Sequence, residues 1–163
     1  RKIITEFGKA IIAKTGVIIA KVEDVLHPFH ENEMANHSIA ITHSGADMML
    51  RTAYCPEKFS HRICLLDNGF NLKQGQENST VTIAGPLCFS GDIIGDKLKL
   101  AQPEAGDFVF VQDAGANTLS LFSRHCSRLA PAVFGFSSAE DKSFRVTKIR
   151  KSEQEFDIFR FWG

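Results

Sequence analysis

The sequence predicts a mainly β protein, a β-barrel or β-sandwich, on three observations. Short apolar segments rich in Ile, Val and Phe alternate with clusters of Gly, Asn, Asp and Ser, which is typical of strands joined by turns. No segment before the C-terminus has the periodicity of a helix longer than about two turns. Phe occurs 14 times and Tyr once, and because a Phe side chain needs no buried hydrogen-bond partner, we expect most of the rings to build a two-layer core.

The elements can be assigned in chain order. Residues 2–25 are rich in Ile and Val and are interrupted by two glycines, so they are expected to form two or three strands. Residues 37–43 alternate apolar and polar side chains, which predicts a strand, and Ser44 can cap a short helix over 45–51. The other expected strands are 60–66, 80–84, 107–113 and 133–136. Residues 151–159 can form a helix or an edge strand.

Length, charge and cysteine content narrow the class of protein. A chain of 163 residues suits one compact domain. Lys plus Arg number 19, as do Asp plus Glu, so the net charge of zero gives no electrostatic argument for a nucleic-acid or membrane partner. The four cysteines are irregularly spaced, which favours free thiols over a disulfide framework. No apolar run is long enough to span a membrane and the chain starts at Arg1 without a signal-like segment, so we expect a soluble fragment of a longer protein. The free thiols favour the cytoplasm or an organelle with a reducing interior.

The segment 85–92 is the most informative for chemistry. It places the Cys88 thiol and the Asp92 carboxylate four residues apart in a loop that contains one Pro and two Gly, and such loops often contain functional sites. A thiol there can act as a nucleophile or a proton donor if its surroundings adjust its pKa. Equally, Cys88 can be a small buried hydrophobic residue while Asp92 caps a turn, and the spacing alone does not decide between these alternatives.

Two further patterns are weaker. Backbone amides around Gly115, in the turn 113–117, can cradle a phosphate, although an ordinary hairpin turn explains the same residues. Cys55, His61 and Cys64 have a spacing that suggests a metal site, but a closed zinc site needs four ligands and the fourth is missing. We therefore predict no metal.

Five blocks that occur in order along the chain match one known pattern. The most specific is Gly-Pro-Leu-Cys-Phe-Ser-Gly-Asp at 85–92, which is similar to Gly-Pro-x-Cys-x-Ser-Gly-Asp. The others are Glu-Phe-Gly-Lys at 6–9, Glu-Ala-Gly-Asp at 104–107, Asp-Ala-Gly-Ala-Asn at 113–117 and Ile-Arg-Lys-Ser-Glu at 149–153. Together they resemble the C-terminal β domain of the ornithine and diaminopimelate decarboxylase group, which are pyridoxal-phosphate-dependent enzymes of the alanine racemase fold type.

This resemblance implies a Greek-key β-barrel or sandwich with one or two short helices, normally attached to a (β/α)₈ barrel that this chain lacks. Residues 1–10 would be the end of the last barrel strand, and 11–163 the C-terminal β-barrel domain. In the family's homodimer, the barrel of one subunit holds pyridoxal phosphate and the β domain of the other closes the site. Because the family's Schiff-base Lys lies in the barrel, the chain alone is expected to be inactive. Its parent would be an amino-acid carboxy-lyase with no nucleic-acid or membrane partner.

The resemblance also implies cofactor contacts by matching position. Glu6 would pair with the pyridine nitrogen of the cofactor, which keeps the ring an effective electron sink. Lys9 would take the place of a phosphate-binding Arg, although Lys lacks the bidentate geometry of Arg. Asn117 replaces a Tyr whose hydroxyl contacts the phosphate in the family, and the shorter Asn can still donate a hydrogen bond.

Four more residues are assigned to catalysis and substrate binding by the resemblance. Cys88 would lie near the substrate α-carbon as a proton donor after carbon dioxide leaves, and Asp92 would support the substrate site from the same loop. Arg51, within Leu-Arg-Thr-Ala-Tyr, resembles a substrate-binding Arg of the family. Phe89 occupies the position of an acid that binds the distal amine of the substrate. Since Phe cannot pair with an ammonium, a substrate with an apolar or differently charged end is expected in place of ornithine or diaminopimelate.

Two alternatives to this enzyme are compatible with the sequence. The changes at Lys9 and Asn117 allow a cofactor-free homologue that acts as a regulatory binding protein. An unrelated β-sandwich interaction module would require the five blocks to be coincidental. Retention of Glu6, Cys88 and Asp92 favours the enzyme, because a protein that only binds partners has no chemical need for them.

Overall fold

The structure is a computed structural model that describes residues 2–27, 37–74, 79–138 and 143–163. The chain divides into two compact units, 1–123 and 124–163. The larger unit contains a curled sheet of six strands, and the smaller unit contains a two-stranded sheet and a helix. The prediction of a mainly β protein with few, short helices is confirmed.

Six strands and two short helices make up the larger unit. In chain order these are α1 (Gly8–Ile12), a 3-10 turn (Ala13–Thr15), β1 (Ile18–Leu26), β2 (His37–Thr42), α2 (Leu50–Tyr54), β3 (Ile63–Leu66), β4 (Thr80–Ala84), β5 (Ile93–Leu98), β6 (Phe108–Val111) and a 3-10 turn (Leu119–Leu121). The strand order in the sheet is β3-β6-β1-β2-β4-β5. β2 and β4 are parallel, whereas the other neighbouring pairs are antiparallel.

The hydrophobic core cluster lies within this larger unit and is built mainly from aliphatic side chains of the strands. Its members are Ala20, Val22, Ala40, Met48, Met49, Leu65, Val81, Ile83, Ile94, Val109 and Val111. The expectation that most Phe rings fill the core is wrong, because nine of the 13 Phe residues that the structure describes are exposed. Six of those nine belong to residues 124–163, where one hairpin and one helix offer too little surface to bury them.

The smaller unit is a hairpin followed by a helix. Its elements are a 3-10 turn (His125–Ser127), β7 (Val133–Ser138), β8 (Phe144–Arg150) and α3 (Glu155–Trp162), with β7 and β8 antiparallel. A capping box between Gln154 and Asp157 starts α3, so the C-terminal segment is a helix rather than an edge strand. The Arg124 guanidinium forms two hydrogen bonds with the Glu153 carboxylate and holds the pKa of Glu153 below its usual value.

Several element boundaries differ from the sequence expectation. Residues 2–25 contain one strand, preceded by α1, because the Lys and Ala residues after Gly8 favour helix over strand. The helix expected over 45–51 begins later, at Leu50, since the Met48 and Met49 amides first close a turn on the Gly45 carbonyl. Strands β5 and β8 were not expected. Among the described residues, no helix has the length and hydropathy needed to cross a bilayer.

Two glycines bring the start of β1 against the turn after β6. The Ala114 amide donates to the Gly16 carbonyl and the Gly115 amide donates to the Ala13 carbonyl, each at 2.9 Å. A Cβ atom at Gly115 would collide with the Ile12 carbonyl oxygen, and one at Gly16 would collide with the Gly115 backbone. Glycine is therefore required at both positions for this close backbone approach.

Gly115→Ala is expected to lower the free energy of unfolding by about 2 kcal/mol, since the new methyl group must displace backbone atoms. The matched control is Gly8→Ala, because a Cβ at Gly8 meets no atom within 4 Å and Ala favours the helix that Gly8 begins. Chemical denaturation of both variants measures the difference. Equal stability of the two variants would contradict the required close approach.

Candidate functional site

The candidate residues lie at one side of the six-stranded sheet, which we call this edge and where β1 and β3 begin and β2, β4 and β6 end. The register pairs the first residues of β1 and β3 with Val111 at the end of β6. It also pairs the end of β4, Ala84, with Ile93 at the start of β5, and because β2 is parallel to β4, both strands end at this edge. The segments that lead into or out of these strand ends contain all seven predicted site residues. These are Glu6, Lys9, Arg51, Cys88, Phe89, Asp92 and Asn117.

Asp92 joins the two loops at the ends of β2 and β4. The side chain is buried, and its Oδ1 accepts the Ala46 amide while its Oδ2 accepts the Leu87 amide, both at 2.6 Å. The Asp92 main-chain carbonyl accepts the Gly85 amide at 2.9 Å. A Cβ at Gly45 or Gly85 would collide with the carboxylate. Asp92 therefore holds the loop 85–92 in place through backbone groups.

The same loop exposes the two residues that precede its Ser-Gly-Asp end. Both Cys88 and Phe89 are exposed. The Phe89 carbonyl accepts the Asp92 amide at 3.2 Å, which closes a tight turn. A Cβ at Gly91 would approach the Phe89 ring to 2.7 Å, so Gly91 makes room for that ring. The loop thus presents a thiol and an aromatic ring outward from a buried carboxylate anchor.

Two of the predicted site residues, both positively charged, contact the same aromatic ring. The Lys9 Nζ lies 5.0 Å from the centroid of the Phe59 ring, and the Arg51 Cζ lies 4.6 Å from the same centroid. Lys9 belongs to α1 (Gly8–Ile12) and Arg51 to α2 (Leu50–Tyr54), two helices that are far apart in the sequence. Phe59 therefore brings together the residues predicted to bind cofactor and substrate.

Asn117 lies in a turn with left-handed backbone at both of its polar ends. Asp113 has φ 58° and Asn117 has φ 57°, a conformation that Asp and Asn tolerate better than most residues. The Arg62 side chain donates to the Asp113 carboxylate at 2.7 and 3.0 Å and holds the pKa of Asp113 below its usual value. The Thr118 hydroxyl donates to the Ala114 carbonyl at 2.5 Å. These contacts fix the turn that presents Asn117.

Glu6 contacts no other predicted site residue among those described, and the suggested metal ligands do not converge on a metal site. Glu6 is exposed and forms no hydrogen bond or ion pair with another described residue. Within the described ranges, the ligand atoms of Cys55, His61 and Cys64 do not form a metal-binding group. Instead, the His61 Nδ1 faces the Gln112 carbonyl at 3.0 Å.

Sequence analysis missed two residues that shape the site. Phe59 has no distinctive motif around it, and its role depends on a contact with both α1 and α2. Gly45 had a local clue, because Asp47 follows it by two positions and accepts the Gly45 amide at 2.9 Å. The close approach of Gly45 to Asp92 depends on the pairing of β2 with β4.

A family model described as pyridoxal-dependent decarboxylase, C-terminal sheet domain, matches residues 10–115. The chain belongs to this family. Diaminopimelate decarboxylase of Helicobacter pylori is 29% identical over 158 residues, which cover 97% of this chain and 35% of that protein. The enzyme of the same name from Escherichia coli K12 is 31% identical over 140 residues, which cover 81% of this chain and 31% of that protein. The chain spans about a third of the length of these curated relatives.

Solved decarboxylase structures have the same fold. A crystal structure of diaminopimelate decarboxylase matches with a TM-score of 0.78 at 22% identity, covering 95% of this chain and 35% of that chain. The Helicobacter pylori diaminopimelate decarboxylase complexed with L-lysine matches with a TM-score of 0.71 at 24% identity, covering 95% of this chain and 34% of that chain. The family expected from the five sequence blocks is therefore confirmed.

Asp92→Asn is expected to lower the free energy of unfolding by about 2 kcal/mol, because an amide cannot accept both backbone N–H groups in the buried site. Asp67→Asn is the control, since the Asp67 carboxylate accepts the Gly69 and Asn71 amides near the surface, where water can replace a lost partner. Urea denaturation is expected to give a smaller loss for Asp67→Asn. Equal losses would contradict the anchoring role of Asp92.

Proposed function

We propose that this chain is the C-terminal domain of a pyridoxal-phosphate-dependent amino-acid decarboxylase, and that it closes the active site of the partner subunit in a homodimer. The supporting observation is the loop 85–92, which exposes Cys88 while Asp92 is buried against backbone amides. Membership in the decarboxylase family gives this loop its chemical context. The cofactor-binding barrel would belong to the remaining two thirds of the enzyme's length.

The described residues fit the phosphate of this cofactor. The Lys9 ammonium forms no ion pair with a described carboxylate, so its charge is available to an anion. Asn117 lies in the turn 113–117. The Gly115 amide of this turn donates to the carbonyl of Ala13, which directly follows α1. We propose that Lys9 and Asn117 bind the phosphate and that the exposed Glu6 carboxylate binds the pyridine nitrogen. When bound, pyridoxal phosphate supplies the electron sink that decarboxylation needs.

Cys88 supplies the proton in this proposal. Loss of carbon dioxide breaks the bond between the substrate α-carbon and its carboxylate, and the α-carbon must then gain a proton. The Cys88 Sγ donates that proton, and the resulting thiolate recovers one from water. Asp92 acts on this step by holding the loop that positions Cys88, because both of its carboxylate oxygens are occupied by backbone amides.

The side chains also favour a class of substrate. We propose that Arg51 binds the substrate carboxylate and that Phe89 contacts the distal end of the substrate. Because the exposed Phe89 ring has no charge, it favours an amino acid with an apolar or differently charged end over one with a distal ammonium. The curated relatives are diaminopimelate decarboxylases, so diaminopimelate is the competing substrate. A clear preference for diaminopimelate would contradict the proposed role of Phe89.

A reducing compartment such as the cytoplasm is also proposed for the protein. Cys55 and Cys64 are free thiols in the described structure, and Cys88 is exposed. An exposed thiol that must keep its proton for catalysis is best protected from oxidation in such a compartment.

The full-length protein that contains this chain, purified with pyridoxal phosphate, is expected to have a visible absorption band that borohydride removes. It is also expected to release carbon dioxide from an amino acid in a screen that includes diaminopimelate, ornithine and amino acids with apolar ends. Absence of both the visible band and carbon dioxide release would overturn the proposal of an enzyme and favour a cofactor-free regulatory homologue.

Cys88→Ala is expected to lower kcat by at least about 100-fold while the visible band is retained, because a positioned proton donor typically contributes this much. Cys55→Ala is the matched control, since Cys55 follows α2 and lies outside the loop 85–92. Turnover and absorption spectra of both variants are compared. Unchanged turnover in Cys88→Ala would remove Cys88 as the proton donor.

A further inference from the structure

The Phe59 ring is the contact shared by two cations from separate helices. The Lys9 Nζ and the Arg51 Cζ lie 5.0 and 4.6 Å from the ring centroid, within the range of a cation–π interaction. The two charges are therefore no farther apart than these two distances combined. Like charges this close repel each other, so the ring must offset part of that repulsion.

Local backbone hydrogen bonds place Phe59 beside Arg51. The Cys55 amide donates to the Arg51 carbonyl at 3.0 Å and ends α2. The Lys58 and Phe59 amides then donate to the Cys55 carbonyl, each at 3.0 Å. This second turn carries the chain back toward the helix before β3 begins. Phe59 is partly buried, so its position is set by both backbone and packing.

No described carboxylate neutralises the two cations. None of the ion pairs in the described parts of the chain includes Lys9 or Arg51. The Arg51 Nε atom is buried and has no hydrogen-bond partner among the described residues. A buried donor without an acceptor is costly, and an anion at this site would supply both the missing acceptor and the missing charge.

We propose that Phe59 is a positioning residue that holds Lys9 and Arg51 together as a two-cation site for oxyanions. The inference rests on the proposed function, in which Lys9 binds the cofactor phosphate and Arg51 binds the substrate carboxylate. Phe59 adds a link between these two roles: the single ring sets the spacing of the two cations. Loss of the ring lets the cations separate and weakens oxyanion binding, although neither charge is removed.

The test is an NMR titration of the ¹⁵N-labelled 163-residue chain with inorganic phosphate and, separately, with acetate. The Arg51 Nε–H resonance, assigned with Arg51→Lys, is expected to shift because this donor gains an acceptor. Phe59→Leu is expected to weaken phosphate binding about tenfold, and Phe59→Tyr, which keeps an aromatic face, is expected to restore it. Phosphate binding much tighter than acetate binding identifies the cofactor phosphate as the source, and similar affinities identify a carboxylate.

Phe134→Leu is the matched control, because Lys148 lies 5.5 Å from the Phe134 ring centroid in the β7–β8 hairpin. This variant is expected to bind phosphate as the wild type does.

The proposal is overturned if phosphate leaves the Arg51 Nε–H resonance unmoved, or if Phe59→Leu binds phosphate with unchanged affinity. Thermal melts determine whether Phe59→Leu is folded, and the Tyr variant keeps the test decisive if it is not. A Phe59-dependent site in a protein that never acquires the visible band would leave this inference standing while the decarboxylase proposal fails.

Discussion

A buried carboxylate must be satisfied by hydrogen bonds, and Asp92 meets this requirement with backbone amides from two separate loops. Because one amide follows β2 and the other follows β4, the two loops can stay side by side only while this carboxylate is correctly placed between them. Gly45 and Gly85 leave the space that the carboxylate needs. The outward display of Cys88 and the placement of the chain before α2 both depend on this anchor.

Strand order explains why residues from distant parts of the chain form one cluster. β2 and β4 are parallel neighbours, while β1 and β6 pair as antiparallel neighbours beside them. The strand ends that precede α2 and the loop 85–92 therefore lie at the same edge as the chain entering β1. At that edge, Phe59 joins α1 to α2 through its two cations, and Gly115 joins the β6 turn to the segment before β1.

Much of the fold could be predicted from local sequence, because alternating apolar residues and Gly-rich turns are patterns that span only a few contiguous residues. The loop 85–92 was recognisable for the same reason, since its residue types are contiguous. Strand β5 was missed because Gly95 interrupts its apolar pattern, and the burial of Asp92 was not decided because its partner Ala46 is distant in sequence. Phe59 was missed because its importance comes from two cations that only the folded chain brings to it. The expectation that most Phe rings fill the core was wrong for a similar reason. Composition gives the number of Phe residues but does not specify which of the two units contains them.

β5 is the last strand of the six-stranded sheet, so one side of its backbone pairs with no strand in the part of the chain that the structure describes. Its pairing with β4 has register irregularities, and Lys97 has left-handed backbone with φ 49°. Together with the charges of Asp96 and Lys97, these irregularities make the outer side of β5 a poor template for a strand from another molecule. An edge of this kind lets the sheet stay open without recruiting further chains into aggregates.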